Sequence, residues 1–191
     1  RRQWPSGLSE ARGRIAADRR AEVGRALAGG DESGWGGTVQ ALLDASADGR
    51  FDDGYEALLE EALAGIVDVL RRWDWAARPA SIVPVPSRTH PRLVADLTER
   101  IGALGRLPVV PAVVRRAERP PQHTMSNSAH LADNALAAYA VDEDVAADLP
   151  TGPVLLVDVA TDSGWTLTAV TWRLREVHPP PVLPLVLATR P

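Results

Sequence analysis

The stretch Gly152–Arg175, GPVLLVDVATDSGWTLTAVTWRLR, decides the fold of this chain. It predicts a buried strand at Val154–Val157, Asp158 at the carboxyl end of that strand, a turn of small and polar residues, and a helix that begins near Trp165 or Thr166. Ligands of open α/β sheets bind beyond the carboxyl ends of the strands, and a helix amino terminus offers unpaired N–H groups to an anion. The sequence therefore favours a phosphate-binding turn made of Thr161, Asp162, Ser163, Gly164, Trp165 and Thr166.

The same order of residues also has a purely structural interpretation. Many α/β proteins place an acid and a capped helix after a strand for folding alone, with Asp162 or Ser163 serving only as the helix N-cap. The spacing of the residues leaves both interpretations open.

Composition limits the classes of protein to which the chain can belong. With 191 residues, of which 45% are hydrophobic and 24% charged, it suits a globular domain with an appendage. The absence of cysteine excludes disulfides and cysteine-ligated zinc and favours a cytoplasmic protein. Neither a metal site nor a membrane partner is expected, because the four histidines lack metal-ligand spacing and the apolar runs are too short to span a bilayer. The first residue is Arg1, which favours a piece of a longer polypeptide.

The basic residues are all arginines, and their distribution is uneven. Without a lysine, the chain holds no P-loop for a nucleoside triphosphate. The net charge of −4 argues against a protein that coats nucleic acid. Residues 1–30, however, contain seven arginines against three acidic residues, a local charge of +4. This segment favours contact with DNA phosphates, and a solvated helix face is the alternative.

The first part of the chain reads as helical. Apolar spacing predicts helices at about Arg14–Leu27, Val39–Ala47 and Asp52–Arg72. The helical period stops at Trp73–Pro79, which predicts a boundary between a helical segment, 1–77, and a second domain, 78–191. Trp73 and Trp75 are expected to pack a helix against its neighbour rather than to stack on bases.

From Ser81 onward, strands and helices alternate. Strands are predicted at Ser81–Pro86, Leu107–Val114, Ala138–Val141 and Val182–Ala188, and helices at Pro91–Leu104 and Ala129–Ala137. The polar residues between Arg115 and Ser128 predict a lid-like loop. This alternation predicts an α/β fold with a mostly parallel sheet flanked by helices, preceded by the small helical segment.

The VPVPSR turn together with VLLVD and TDSGWT resembles the type I phosphoribosyltransferases, and within them the ComF-type branch, over about Ser81–Arg190. The resemblance implies a strand with two acidic residues and a small-residue loop that hold the ribose and 5′-phosphate of phosphoribosyl pyrophosphate. It places Asp158 at the first acidic position. It also implies anion contacts from Ser87, Arg88 and Arg92 and hood-loop contacts from Arg115, Arg116 and Arg119. The alternatives are that Arg88 only pairs with a neighbouring carboxylate and that the three hood-loop arginines lie in a solvated loop.

A second resemblance rests on several motifs in order: WPSGL, GRALA, GWGG, WxWxxRP, VPSRxxP, GRLPVV, NSAH and VLLVDxxxDSGWTLT. This set resembles the carboxyl-terminal region of actinobacterial-type RecQ-like DNA helicases. The resemblance implies a parent that is an ATP-dependent 3′-to-5′ DNA helicase of DNA repair, nucleoid-associated in the cytoplasm. Its motor domain would be the partner in cis, and ATP, magnesium and zinc would belong to that motor, so no cofactor is expected in this fragment.

Two departures from the transferase pattern bear on activity. Val159 stands where the second acidic residue is expected, and Trp165 adds bulk to the turn. We therefore expect a phosphoribosyltransferase-like accessory domain that is not itself catalytic, that retains a site for phosphate or a nucleotide-like anion, and that contacts DNA. The alternatives are an active ComF-like transferase that uses phosphoribosyl pyrophosphate and a protein-interaction module.

Overall fold

The computed structural model describes residues 1–29, 34–116 and 127–190. These residues form six strands: β1 (Arg25–Ala28), β2 (Ser81–Pro84), β3 (Val113–Arg115), β4 (Tyr139–Val141), β5 (Val154–Thr161) and β6 (Val182–Thr189). They also form the helices α1 (Gly36–Ala47), α2 (Asp53–Arg72), α3 (Pro91–Gly105), α4 (Ser128–Ala138), α5 (Glu143–Ala146) and α6 (Trp165–Val177), with a 3₁₀ turn at Ala17–Arg19. No helix in the described ranges is long and apolar enough to cross a membrane.

The central sheet is parallel and has the strand order β1-β6-β5-β2. Six consecutive residues of β5, Val154 to Val159, are buried, because both faces of the sheet are covered. Leu155, Val157 and Val159 contact the core that includes α1, α2 and α3, while Val154 and Leu156 contact the core beneath α6. The predicted α/β fold, with a mostly parallel sheet flanked by helices, is thereby confirmed.

A small antiparallel pair, β3 with β4, lies beside α6. The predicted strand Leu107–Val114 is wrong in extent: it forms a single bridge from Val109 to Ile82 and then β3. Pro108 and Pro111 flank that bridge and have no N–H to donate, so a continuous ladder cannot form there.

The predicted helix at Arg14–Leu27 is also wrong. That range contains only the 3₁₀ turn, and its end becomes β1, which pairs with β6. Gly24 lies so close to β6 that a Cβ placed there would be 2.8 Å from the Pro184 oxygen. Burial of Leu27 and Ala28 in the core outweighs the local helical pattern.

The other predicted helices before residue 77 are confirmed as α1 and α2, but they do not stand apart from the sheet. A single core cluster joins Leu27 of β1, Leu42 of α1, Leu59 of α2 and Leu187 of β6. The segment before residue 78 therefore shares a hydrophobic core with the rest of the described chain and adds a strand to the sheet.

Candidate anion-binding site

The strand that carries Asp158 is longer than the sequence suggests. The expectation that Asp158 ends this strand is wrong, because β5 stays in register with β6 from Asp158, opposite Val186, to Thr161, opposite Thr189. Asp158 consequently lies inside the sheet and is 7% exposed. It stands three residues back from the end of the strand, and the turn begins only after Thr161.

The Asp158 carboxylate forms a hydrogen bond with the backbone of its own strand. Its Oδ1 atom accepts a hydrogen bond from the Val159 N–H at 2.8 Å. Burial raises the pKa of Asp158 to about 7, and the charge of Asp162 acts in the same direction. Near neutral pH this group is therefore partly protonated, which makes it a poor ligand for a cation.

Tyr139 lies close enough to Asp158 to be affected by its charge, although the sequence does not link the two residues. Tyr139 of β4 pairs across the strands with Arg115 of β3, whose guanidinium lies 5.7 Å from the centre of the tyrosine ring. Burial raises the pKa of Tyr139, and the Asp158 charge raises it further. The antiparallel β3–β4 pairing places Tyr139 beside Arg115. Residue spacing within either strand does not reveal that pairing, so sequence reasoning missed Tyr139.

The turn before α6 has the geometry of a helix amino terminus. Gly164 adopts a left-handed conformation with φ of 74°, which favours glycine. Ser163 Oγ accepts a hydrogen bond from the Trp165 N–H at 3.4 Å, and the Thr168 hydroxyl donates to the Gly164 oxygen at 2.8 Å. The part of the chain that the structure describes supplies no acceptor for the N–H groups of Thr166 and Leu167. These two amides remain available to an anion.

A cation lies against this turn. Arg1 donates two hydrogen bonds to the Ser163 oxygen, at 2.8 Å from Nε and 2.5 Å from Nη2, and its guanidinium lies 5.6 Å from the centre of the Trp165 ring. The sequence places Arg1 far from the turn, so spacing could not predict the contact. The excess of arginine near the start of the chain is the only sequence signal for it.

Trp165 is a packing residue rather than an exposed part of the turn. It is 4% exposed, and its ring stacks on Trp4 with centroids 5.6 Å apart. Its Nε1 donates to Ser128 Oγ at 2.9 Å. A cavity of about 450 Å³ adjoins the stacked rings and is lined by Trp4, Trp165 and Ser128 together with residues of the first thirteen.

The predicted anion contacts after β2 are distributed differently. Ser87 Oγ accepts the His90 N–H at 3.0 Å, and Arg88 is exposed in the same turn. Arg92 extends along α3, where its Nε lies 3.4 Å from Asp96 and its guanidinium 4.4 Å from the centre of the Phe51 ring. Ser87 and Arg88 thus lie in the turn after β2. The Arg92 side chain instead contacts Asp96 within α3 and the Phe51 ring between α1 and α2.

The sequence does not indicate His90, which lies in the turn after β2, as a candidate site residue. It is 9% exposed, and no described residue bonds its Nδ1. Burial lowers the pKa of His90, and the nearby charge of Arg190 lowers it further.

The expected hood loop is described only in part. Arg115 lies in β3, Arg116 is exposed and its N–H donates to the Ala138 oxygen, and Arg119 lies outside the described residues. Across residues 1–29, 34–116 and 127–190, no three histidine, cysteine, aspartate or glutamate side chains are grouped closely enough to hold a metal ion.

Comparisons with known proteins give little similarity in sequence. No protein-family profile matches the chain, and no curated protein matches it. Among solved structures, the chain is similar to adenine phosphoribosyltransferase from Leishmania tarentolae, with 11% sequence identity and a TM-score of 0.43. The superposition covers 70% of this chain and 71% of that enzyme.

Proposed function

We propose that this chain is a phosphoribosyltransferase-like accessory domain that binds a phosphate-type anion at residues 161–166 and has no transferase activity. The observation that carries the proposal is the position of Val159. Its side chain is 4% exposed and packs in the core with Leu155 and Val157, on the face of β5 opposite Asp158.

The ribose grip of the resembled family needs two acidic residues, and neither position here supports it. Val159 has no acceptor for a hydroxyl group and no ligand for magnesium. Asp158 is buried, has a pKa near 7 and already accepts a backbone hydrogen bond. A substrate that depends on two ionised carboxylates would therefore bind poorly.

The turn itself keeps the features that suit an anion. The N–H groups of Thr166 and Leu167 and the guanidinium of Arg1 lie at one helix amino terminus, beside the hydroxyl of Ser163. Together they offer hydrogen bonds and positive charge to a phosphate. The anion site therefore does not depend on the missing ribose grip.

The parent protein in this proposal is a RecQ-like DNA helicase, with the motor domain in cis holding ATP, magnesium and zinc. Support for it comes from the ordered sequence motifs, from WPSGL to DSGWTLT. A nucleoid location and a contribution to DNA repair follow from that parent. In the chain itself, Arg2, Arg12 and Arg14 are exposed and give a surface for DNA phosphates. Arg19, by contrast, is engaged with Glu176 at 2.8 Å.

Two titrations test the anion site and the lack of activity. Amide NMR shifts in the intact chain are expected to move at Ser163–Leu167 when inorganic phosphate is added, and Thr166→Val, which removes a hydroxyl of the predicted phosphate-binding turn, should weaken the change. Thr151→Val is the matched control, because Thr151 is exposed and precedes β5 at the other end of the strand. With phosphoribosyl pyrophosphate, magnesium and a panel of nucleobases, no pyrophosphate should be released. Release of pyrophosphate would establish the active transferase instead, and unchanged amide shifts would remove the anion site.

DNA contact has a separate test. A tailed DNA duplex should shift in a gel with the intact chain at low salt, and the Arg12→Glu, Arg14→Glu double variant should reduce the shift. The exposed Arg50 supplies the control substitution Arg50→Glu. Equal binding by both variants would show that the arginine-rich start is not the contact.

A further inference from the structure

A groove lies at the amino end of the central sheet, remote from the turn at residues 161–166. It has a volume of about 440 Å³ and lies between the carboxyl-terminal ends of α2 and α3, with Leu155 of β5 at its base. Its apolar lining includes Leu70, Ile101, Leu104 and Leu107. Leu104 is 62% exposed and adjoins the other apolar lining residues, so it extends a continuous apolar surface into solvent.

One wall of the groove is a fixed aromatic ring. Trp75 stacks on the buried Trp73 with centroids 4.3 Å apart, and its Nε1 donates to the Leu70 oxygen at 3.0 Å. Arg25 lies 5.3 Å from the centre of the Trp73 ring. Because the Trp75 ring is already held in place, little side-chain entropy is lost when a ligand packs against it. Rigid tryptophans with these properties are frequent anchors of protein interfaces.

The charges on the groove have one sign. Arg71 and Arg78 are its charged lining residues, and both are exposed. Arg71 has only a long contact with Asp68, 3.8 Å between exposed side chains, which contributes little to stability. No described residue pairs with Arg78. The groove therefore presents two cationic side chains beside an apolar floor. A ligand that carries carboxylates next to bulky apolar groups would be complementary to it.

We propose that this groove docks an acidic amphipathic peptide segment of a partner protein. Its leucine-sized or aromatic side chains fill the space between Trp75 and Leu104, and its carboxylates bind Arg71 and Arg78. A nucleic acid fits less well, because the lining offers one aromatic ring and is otherwise mostly aliphatic. The docking is independent of the anion site, since the two lie at opposite ends of the strands.

The test measures fluorescence anisotropy of a labelled synthetic helical peptide with leucines at positions i, i+3, i+4 and i+7 and glutamates on both flanks. A matched peptide carries lysine in place of each glutamate. The intact chain is compared with its Leu104→Glu and Arg78→Glu variants, two exposed positions at which substitution should leave the fold intact. Val23→Glu and Arg50→Glu are the controls, because Val23 is 76% exposed, Arg50 is exposed, and neither lines the groove. Circular dichroism checks the fold of each variant.

The glutamate peptide should bind saturably, and the two groove variants should each weaken binding by about tenfold or more, while both controls stay within about twofold. The lysine peptide should bind more weakly than the glutamate peptide. The proposal is overturned if the glutamate peptide shows no saturable binding at millimolar concentration, or if Arg78→Glu and Leu104→Glu bind it as the unchanged chain does. Displacement of the peptide by a single-stranded oligonucleotide would assign the groove to nucleic acid. Self-association that Leu104→Glu abolishes would assign it to a second copy of the chain.

Discussion

Asp158 places an ionisable group in the interior of a parallel sheet. Its pKa is raised by burial from 3.8 to about 7, so the folded chain binds a proton more tightly than the unfolded chain does. The stabilising contribution of this proton is fully present when the pH is below the pKa that Asp158 has in the unfolded chain. It is lost as the pH rises through the pKa of about 7 in the folded chain. Ionised Asp158 therefore costs stability at alkaline pH.

Replacing this carboxyl group with an amide should remove that cost. Asp158→Asn is expected to raise the free energy of unfolding by roughly 2–4 kcal/mol at about pH 8 and to change it much less at about pH 4. The asparagine oxygen can still accept the Val159 N–H. Urea unfolding at both pH values measures the effect, with the exposed Asp74→Asn as control. A stability difference that does not depend on pH would show that Asp158 is not the titrating group.

The candidate site shows which residues the sequence can identify. The residue types from Thr161 to Thr166 predict a turn and a helix start, and both are local properties of the chain. Arg1 and Tyr139 reach the region only because distant segments pack together. A local pattern holds no information about such contacts without the topology of the sheet.

At the scale of elements, α2 is closely packed against the segment that precedes it. A Cβ added at Gly65 would lie 2.6 Å from Leu27 Cδ1 and 2.7 Å from the Trp35 ring. Gly65→Ala should therefore destabilise the fold by about 1–3 kcal/mol, because the Trp35 ring or the helix must move. Thermal or urea unfolding measures the change.

Gly37→Ala in α1 is the matched substitution. A Cβ there meets nothing within 4 Å, so the change should be neutral or should stabilise by up to about 1 kcal/mol. If both alanines had the same effect, the close contact between α2 and β1 would be disproved.

The elements that the sequence predicts well are those with strong local periodicity. In α2, Leu59, Ala62, Leu63 and Ile66 form one buried stripe, and the side chain of Asp52 caps the first turn. In the range Arg14–Leu27, the local sequence favours a helix, whereas packing against the rest of the chain favours a strand at its end. There the strand forms because β6 offers unpaired backbone groups and a buried face, and neither appears in the local sequence.

At the scale of the whole molecule, the shared core predicts how the chain responds to division. A chain of residues 78–190 loses β1, which pairs with the edge of β6, together with α1 and α2, which cover one face of β5 and β6. We expect it to lack a cooperative urea transition and to bind a hydrophobic dye, as a partly packed state does. The full chain is the control. A sharp transition with native near-ultraviolet circular dichroism in the shorter chain would show that residues 78–190 fold alone.

The pairing of β1 with β6 also affects how the chain is made. Ala28 lies beside Ala188, so the two partners are about 160 positions apart in the sequence. A growing chain therefore leaves β1 without its partner strand until nearly all of the described residues have left the ribosome. Early translation products should consequently depend on chaperones. The yield of folded protein should also depend on the speed of synthesis, and more strongly than in a protein whose neighbouring strands are close in sequence.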